Sequence, residues 1–194
     1  RQRQMCIRDR SPAAANVANL RDRGVEQIEV ETPHAVNVPG AIAAWTRLNT
    51  DYGTKDLTEL LRPAINYAEN GFPVAPRVAL DWVDNLPKLL GDEVSSKILT
   101  VSGDAPKAGT TFAQPLLGTT LAAIAKGGRD AFYTGEIAED MVTRLNTLGG
   151  LHTLDDFASC AADYVEPISV SYKNHTLNEC PPNGQGICAL ITVS

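Results

Sequence analysis

Residues 163–190 constrain the fold most, because their pattern combines a β-hairpin, a turn that begins with two prolines and the start of a helix. A half-buried strand is predicted by apolar residues that alternate with period two: Ile168, Val170 and Tyr172. The pair Lys173-Asn174 predicts a tight turn into a second strand, since Asn tolerates a positive φ. Residues 181–186, PPNGQG, then predict a sharp reversal before a helix that starts near Ile187.

The rest of the chain has a mostly helical pattern, with strands concentrated near the C-terminal end. Apolar residues at helical spacing, separated by Gly and Pro, predict helices over residues 41–49, 57–70, 77–90, 114–126 and 135–148. Pro63 predicts a kink or a break in the second of these helices. Residues 99–113 hold Gly and Pro and are expected to form a surface excursion. Thr153 with Asp156 predicts the cap of a further short helix.

Length and composition bound the class of protein. The chain has 194 residues, of which 43% are hydrophobic and 21% charged, and this suits one domain with a real core. No run approaches the roughly 18 apolar residues of a membrane span. The net charge of the chain is −6. Residues 1–23 carry +4, so residues 24–194 carry −10. An acidic body argues against nucleic-acid binding, which needs a basic face.

Both ends of the chain suggest an incomplete protein. Residues 1–10, RQRQMCIRDR, lack the apolar region of a signal peptide and resemble translated sequencing-adapter sequence, so we exclude them from fold reasoning. The chain stops at Ser194, about two turns into its last predicted helix, where compact domains rarely end. We therefore expect residues 11–194 to be a partial domain, truncated at both ends. The compartment stays open, because the deciding segment is expected to lie outside the chain.

Side chains that could act as nucleophiles or metal ligands are sparse. The strained G-x-S-x-G elbow of serine hydrolases is absent. The histidines lie far apart in sequence and none is flanked by a recognisable nucleophile: His34, His152 and His175. The cysteines form no C-x₂₋₄-C pair and no disulfide framework, so buried free thiols are the favoured interpretation: Cys6, Cys160, Cys180 and Cys188. No metal site and no cofactor site is predicted.

The turn of residues 181–186 is the sharper candidate for a binding site. Glycines at a helix N-terminus let backbone N–H groups approach a carboxylate or a phosphate. The turn lacks the spacing and the Lys of a phosphate-binding loop. Because Gly and Pro mostly serve backbone geometry, a structural turn is favoured, with Gly186 supplying a positive φ or a close approach.

Short blocks in a fixed order resemble a known family. In chain order they are V-N-V-P-G-A (36–41) with Trp45, Y-G (52–53), P-A (63–64), A-E-N-G-F (68–72), F-A-Q-P-L (112–116), F-Y-T-G-E-I-A (132–138), G-G-L (149–151), D-D-F (155–157), P-I (167–168), Tyr172 and P-P-N-G-Q-G (181–186). Together they span roughly Ser11 to Leu190 and are similar to the large-subunit region of the γ-glutamyltranspeptidase family. Each block alone is weak, but their order makes the resemblance specific.

The resemblance implies an α/β fold, part of the αββα sandwich of N-terminal-nucleophile hydrolases, which both subunits of a self-cleaved precursor build. In that family a Thr at the new N-terminus of the small subunit attacks the γ-glutamyl amide of glutathione-like substrates. Its own α-amine can act as the general base, and backbone N–H groups stabilise the oxyanion. The implied partners are therefore the small subunit of the same precursor and a small-molecule amide.

No functional residue of the family falls on a position of this chain. The nucleophile signature is Thr-Thr-His, whereas Thr110-Thr111 precedes Phe112 and Thr119-Thr120 precedes Leu121, both upstream of the expected position. The Arg that grips the substrate carboxylate lies before Ser11 in the family. We therefore predict no catalytic residue here and expect the fragment alone to be inactive.

Two alternatives stay open. The closing turn reads N-G-Q-G where the better-known transpeptidases have S-S-G-G, and this favours the broader branch that includes hydrolases and acylases of other amides. The lack of a complete catalytic constellation also fits a non-catalytic helical binding or scaffold module.

Overall fold

A computed structural model describes residues 4–6, 10–182 and 184–193. Its helices are α1 (Val17–Asp22), α2 (Ala41–Tyr52), α3 (Leu57–Asn70), α4 (Pro76–Leu90), α5 (Glu93–Leu99), α6 (Pro115–Tyr133), α7 (Glu136–Thr147), α8 (Leu154–Ala158) and α9 (Gly186–Val193). Its strands are β1 (Gln4–Cys6), β2 (Phe72–Pro73), β3 (Thr111–Phe112), β4 (Asp163–Val165), β5 (Ile168–Tyr172) and β6 (His175–Glu179). The strands pair in antiparallel twos, β1 with β4, β2 with β3 and β5 with β6.

The chain forms two compact units, residues 1–57 with 126–194 and residues 58–125. In the first unit the buried hydrophobic side chains are Val38, Ile42, Ala43, Ala44, Phe132, Tyr133, Ala138, Val142, Phe157, Cys160 and Leu190. In the second unit they are Ala68, Val74, Phe112 and Ile124. The second unit thus buries far fewer side chains of its own.

The predicted hairpin is confirmed, with a correction at its turn. Strands β5 and β6 pair in register from Ile168 opposite Glu179 to Tyr172 opposite His175. Ile168 and Val170 are half-buried, as the alternation predicts, but Tyr172 is exposed. The residue with a positive φ is Lys173, at +52°, and not Asn174. The position of the turn was therefore predicted correctly, but the positive φ was assigned to the wrong residue.

Of the two outcomes predicted at Pro63, a kink or a break, the break is wrong. Helix α3 runs without interruption from Leu57 to Asn70 with Pro63 inside it. A proline removes one backbone hydrogen bond and crowds the carbonyl four residues earlier, and at the exposed Pro63 the helix continues despite this local cost. The helix ends as expected at Gly71, which takes a φ of +86°.

Residues 99–113 are only partly a surface excursion. Thr111 and Phe112 form β3 opposite β2, and Phe112 is buried with its ring 4.8 Å from that of Trp82 in an edge-to-face arrangement. Aromatic packing therefore draws the end of this segment into the second unit. The predicted end of the next helix near residue 126 is supported, since Gly128 has non-helical φ and ψ inside α6.

The predicted cap of α8 is confirmed. The backbone N–H of Asp156 donates to Thr153 Oγ1 at 3.2 Å, and the backbone N–H of Thr153 donates to Asp156 Oδ2 at 2.9 Å. This reciprocal capping box fixes the start of a helix of only five residues. It thereby positions Phe157, which is fully buried.

Strand β1 involves residues that the sequence analysis set aside. Gln4–Cys6 pair with Asp163–Val165. The prediction that residues 1–10 are foreign concerns their origin and stays a prediction. The prediction that residues 11–194 form a partial domain likewise stays a prediction. Among the helices of the described residues, none has the length and apolar character needed to cross a membrane.

Candidate functional site

The turn before α9 brings a carboxylate of the chain itself to the helix N-terminus. A Cβ added at Gly186 would lie 2.7 Å from Glu179 Oε2 and 2.9 Å from Glu179 Cβ. The backbone N–H of Cys188 donates to the Gln185 carbonyl at 2.9 Å. Gly184 and Gly186 both have a negative φ, so Gly186 is required by the close approach of β6. Since Glu179 already supplies a negative charge near the positive end of the helix dipole, this geometry favours the structural interpretation of the turn.

A second group of residues joins two of the sequence blocks inside the first unit. The Tyr133 hydroxyl donates to the Pro39 carbonyl at 2.5 Å and accepts the Ala43 backbone N–H at 3.2 Å. Ala43 lies in the first turn of α2, where backbone N–H groups have no partner within the helix. Tyr133 is fully buried, and burial raises the pKa of its hydroxyl well above the usual value. Tyr133 therefore acts as a neutral cap of α2, and we call its contacts the Tyr133 anchor.

Arg129 and Cys160 complete the Tyr133 anchor. The Cys160 thiol lies 3.7 Å from the Pro39 carbonyl oxygen, a weak S–H donation, and Cys160 is buried. Arg129 donates from Nη2 to the Cys160 carbonyl at 2.8 Å and also to the Ala158 carbonyl. Its guanidinium lies 5.2 Å from the centre of the Tyr133 ring. A cation thus caps the carbonyls at the end of α8 while it stacks on an aromatic face.

His152 is the buried polar side chain beside this core. Its Nε2 lies 2.9 Å from the Val36 carbonyl oxygen. A carbonyl can only accept, so Nε2 carries a proton. Nδ1 is buried and has no hydrogen-bond partner among the described residues. His152 therefore fixes the V-N-V-P-G segment and does not contact a nucleophile.

The remaining threonines and histidines, which the sequence analysis rejected as catalytic residues, lie in helices, strands or turns. The Thr110 hydroxyl donates to the Lys107 carbonyl at 2.7 Å, Thr119 to Pro115 at 3.3 Å and Thr120 to Leu116 at 3.2 Å, while Thr111 lies in β3. His34 lies in a 3₁₀ turn (Pro33–Ala35), and His175 is exposed in β6. No group of three or more His, Cys, Asp or Glu that could hold a metal ion occurs in the part of the chain that the structure describes.

A cavity of about 400 Å³ in the first unit has charged groups that already pair with each other or with the backbone. It is lined by Ala43, Thr46, Arg47, Thr50, Asp51, Arg129, Ala161 and Ala162. Arg47 Nε donates to Asp51 Oδ2 at 2.6 Å, and the Tyr164 hydroxyl donates to the same oxygen at 2.9 Å. The Arg47 hydrogen bond lowers the pKa of Asp51, whereas partial burial and the bond to Asp51 raise the pKa of Tyr164 to about 12. The ion pair therefore lies within α2, and the Tyr164 hydroxyl connects it to β4.

Comparison with known proteins identifies the family. The family model "Gamma-glutamyltranspeptidase" matches residues 2–194. The chain belongs to the γ-glutamyltranspeptidase family. The glutathione hydrolase-like proenzyme YwrD of Bacillus subtilis is 35% identical over 82% of this chain and 30% of its own length. The oxamate amidohydrolase proenzyme of Klebsiella pneumoniae is 33% identical over 94% of this chain and 36% of its own length.

Comparison of structures agrees with the fold class predicted from the resemblance. A cephalosporin acylase from Bacillus halodurans superposes with a TM-score of 0.91 at 32% identity, over 97% of this chain and 37% of its own. The α/β class, as part of an N-terminal-nucleophile hydrolase fold, is confirmed. The chain spans about a third of the length of the curated γ-glutamyltranspeptidase relatives given above.

The residues that the sequence reasoning missed are those of the Tyr133 anchor. The blocks V-N-V-P-G and F-Y-T-G were recognised as family features, but no contact between them was predicted. A usable signal existed, because a Tyr in an apolar segment generally finds a partner for its hydroxyl when buried. The partner itself, a carbonyl 94 residues away, is set by tertiary structure.

Proposed function

We propose that the full protein is a self-processing γ-glutamyltransferase or γ-glutamyl hydrolase that acts on glutathione-like γ-glutamyl amides. The observation that carries this proposal is the family match over residues 2–194. The nucleophile is a Thr at the N-terminus of a small subunit that follows this segment in the precursor. The names of both curated relatives as proenzymes support processing of this kind.

The C-terminal elements support a partner subunit from the same precursor. Within the described residues, β5 and β6 pair only with each other, and an isolated two-stranded hairpin is marginally stable. Helix α9 is apolar on all sides, yet Leu190 is buried while Ile187 and Ile191 are exposed. A helix that is hydrophobic all round belongs in an interior. We infer that the small subunit extends this hairpin and covers α9, as the sandwich requires.

The test is expression of the full-length protein and of a matched variant. The variant replaces by Ala the Thr that would become the new N-terminus. We expect the natural protein to split into two subunits and to release the anilide from γ-glutamyl-p-nitroanilide, whereas the variant stays intact and inactive. A soluble, folded protein that neither splits nor hydrolyses any amide would overturn the proposal and favour the non-catalytic scaffold module.

A second candidate function is hydrolysis of an amide with a different acyl group. Three observations favour it: the relative named as an oxamate amidohydrolase, the similarity to a cephalosporin acylase, and the N-G-Q-G turn. A preparation that splits into subunits, leaves the γ-glutamyl anilide intact and hydrolyses oxamate or a cephalosporin side-chain amide would select this candidate. Fast release of p-nitroaniline from the γ-glutamyl anilide, with no hydrolysis of the other amides, would exclude this candidate.

We also propose that residues 1–10 are not part of the natural protein and that residues 11–194 are a partial large subunit. The adapter-like composition of RQRQMCIRDR supports the first statement. Amplification of the genomic locus across Ser11 tests both statements. The same ten residues in genomic sequence would contradict the first, and a natural start at Ser11 or a stop after Ser194 would contradict the second.

A further inference from the structure

His152 places a side chain of the type that changes its charge near neutral pH inside the core of the first unit. It is 2% exposed and lies between the end of α7 and the start of α8. Its Nε2 donates to the Val36 carbonyl at 2.9 Å, across 116 positions of the sequence. Its ring also lies 6.3 Å from that of the buried Phe157. His152 therefore ties the V-N-V-P-G segment (residues 36–40) to the turn between two helices.

The other ring nitrogen of His152, Nδ1, lies against the turn that follows α7. A Cβ added at Gly150 would be 3.3 Å from Nδ1 and 2.7 Å from the Leu145 carbonyl oxygen. That oxygen already accepts the Gly150 N–H at 2.8 Å and the Leu148 N–H at 3.2 Å, which fills its two lone pairs. Nδ1 itself is buried and has no hydrogen-bond partner among the described residues. A proton added at Nδ1 would therefore have neither an acceptor nor water to bind.

The elements that supply these contacts offer no negative charge to a protonated ring. Residues 36–40 and 145–151 contain no charged residue. Arg144, in the last turn of α7, carries the same sign as a protonated ring and has a partner of its own. The remaining charged residues of α7 lie a turn or more further from this end: Asp140, Glu139 and Glu136.

On α8, Asp156 is the negative group that faces His152. It interacts electrostatically with His152, but no hydrogen bond joins it to Nδ1. This attraction is smaller than the effect of the hydrogen bonds that Ala13 and Thr153 donate to the same carboxylate. Its neighbour Asp155 is exposed. A buried charge needs a hydrogen-bonded partner to offset its lost hydration, so the core favours the neutral ring.

We propose that His152 is a pH-sensitive lock: its neutral ring holds Val36, and uptake of a second proton at Nδ1 drives the ring out of the core and releases the V-N-V-P-G segment. The proton goes to Nδ1 because Nε2 already carries one. The released state binds one proton more than the locked state. The lock is therefore full above about pH 6.5, the ordinary value for a histidine in water, and weakens as the pH falls below it.

Hydrogen exchange of the backbone amides of residues 36–44 in the full-length protein tests this lock. Exchange is followed by mass spectrometry from pH 7.5 to pH 5.5 and corrected for the pH dependence of the chemical step. We expect protection to fall about ten-fold, within the limit of about ten-fold per pH unit that one proton sets. Residues 58–70 of the second unit, which contains no histidine, are the internal reference. No change at residues 36–44, or an equal change at the reference, would overturn the proposal.

Two variants assign the effect to His152. His152→Gln removes the titrating ring and keeps an N–H donor, so its protection should not depend on pH in this range. The matched control replaces both other histidines by Gln, His175 being exposed and His34 lying in a 3₁₀ turn, and should keep the dependence of the natural protein. The natural dependence in His152→Gln, or its loss in the control, would overturn the proposal.

The control variant also decides the case if His152→Gln does not fold. Retention of the dependence with both other histidines replaced would then support the lock, and its loss would overturn it. The measurement needs neither subunit splitting nor amide hydrolysis, so its outcome is independent of the proposed function.

Discussion

The two compact units hold their family blocks in different ways. In the first unit, buried side chains reach main-chain groups distant in sequence, as Tyr133 does at Pro39 and His152 at Val36. In the second unit the blocks are joined by backbone contacts, such as the Gln114 N–H to the Ala68 carbonyl. Close packing of small residues adds to this, since a Cβ on Gly118 would lie 2.7 Å from Glu69 Cγ.

This difference between the two units indicates the structural role of the family blocks in this segment. In both units the block residues discussed above satisfy backbone groups or permit close packing. The family match over residues 2–194 is therefore compatible with the prediction that this segment holds no catalytic residue. Both units leave large apolar side chains exposed, such as Trp45 and Ile191 in the first and Leu80 and Leu116 in the second.

The largest effect is expected at Phe157, which is fully buried in the first unit. Phe157→Ala should destabilise the protein by about 3–5 kcal/mol, because it removes a buried ring and leaves a cavity. Leu154→Ala in the same helix is the control, since Leu154 is 46% exposed and its loss should change stability by about 0.5 kcal/mol or less. Thermal and urea unfolding of both variants give the difference. Equal losses would mean that the first unit does not depend on this core.

Removal of the Tyr133 hydroxyl tests the contrast between the units directly. Tyr133→Phe leaves the Pro39 carbonyl and the Ala43 N–H without their partner and should cost about 1–3 kcal/mol. Tyr67→Phe in the second unit, where the side chain is largely exposed, should be nearly neutral. Urea unfolding measures the stability of both variants. If Tyr133→Phe leaves the free energy of unfolding unchanged, the Tyr133 anchor does not stabilise the first unit.

Local signals in the sequence were sufficient for parts of this fold. The capping box of Thr153 and Asp156 and the hairpin of residues 168–179 depend on neighbours within a few positions, and both were predicted. Helix α3 was predicted over residues 57–70 with a kink or a break at Pro63, and the break does not occur. Whether a helix continues is then decided by packing that local sequence does not display.

The candidate site shows the same division. Nothing in the sequence marks Ala43 and Ala44 as core residues, since they are buried by elements that lie far along the chain. The Tyr133 anchor joins positions 90 or more residues apart and is likewise invisible to spacing arguments. The close approach of Glu179 to Gly186 was anticipated only as one of two reasons for a glycine. The absence of a catalytic residue from this chain remains a prediction.

A smaller effect is expected where β6 meets α9 in the first unit. Gly186→Ala places a methyl group against the Glu179 side chain and should cost about 1–2 kcal/mol through overpacking. Gly184→Ala is the matched control, because nothing lies within 4 Å of its added Cβ. Chemical denaturation compares the two. If both variants are equally stable, the turn does not depend on the contact with Glu179.

The smallest effect concerns Asp156, a charged group in the capping box of the first unit. Burial raises its pKa, but hydrogen bonds from the Ala13 N–H and from Thr153 outweigh burial and leave the pKa below its ordinary value. Asp156→Asn keeps an acceptor oxygen but removes the charge. We expect a loss of about 0.5–1 kcal/mol at pH 7, in the range of a weakened helix cap. Asp155→Asn, at an exposed neighbour, is the control.

The sign of the pH dependence distinguishes a cap from a general charge effect. A carboxyl whose pKa is lower in the folded state stabilises the protein above its unfolded pKa of about 3.9, and that contribution disappears as the pH falls through the folded value. The difference between the natural protein and Asp156→Asn should therefore be full near pH 7 and shrink below about pH 4. Denaturation curves at several pH values measure it. A difference that stays constant down to pH 2 would show that the capping box, and with it the position of Phe157, does not depend on the charge of Asp156.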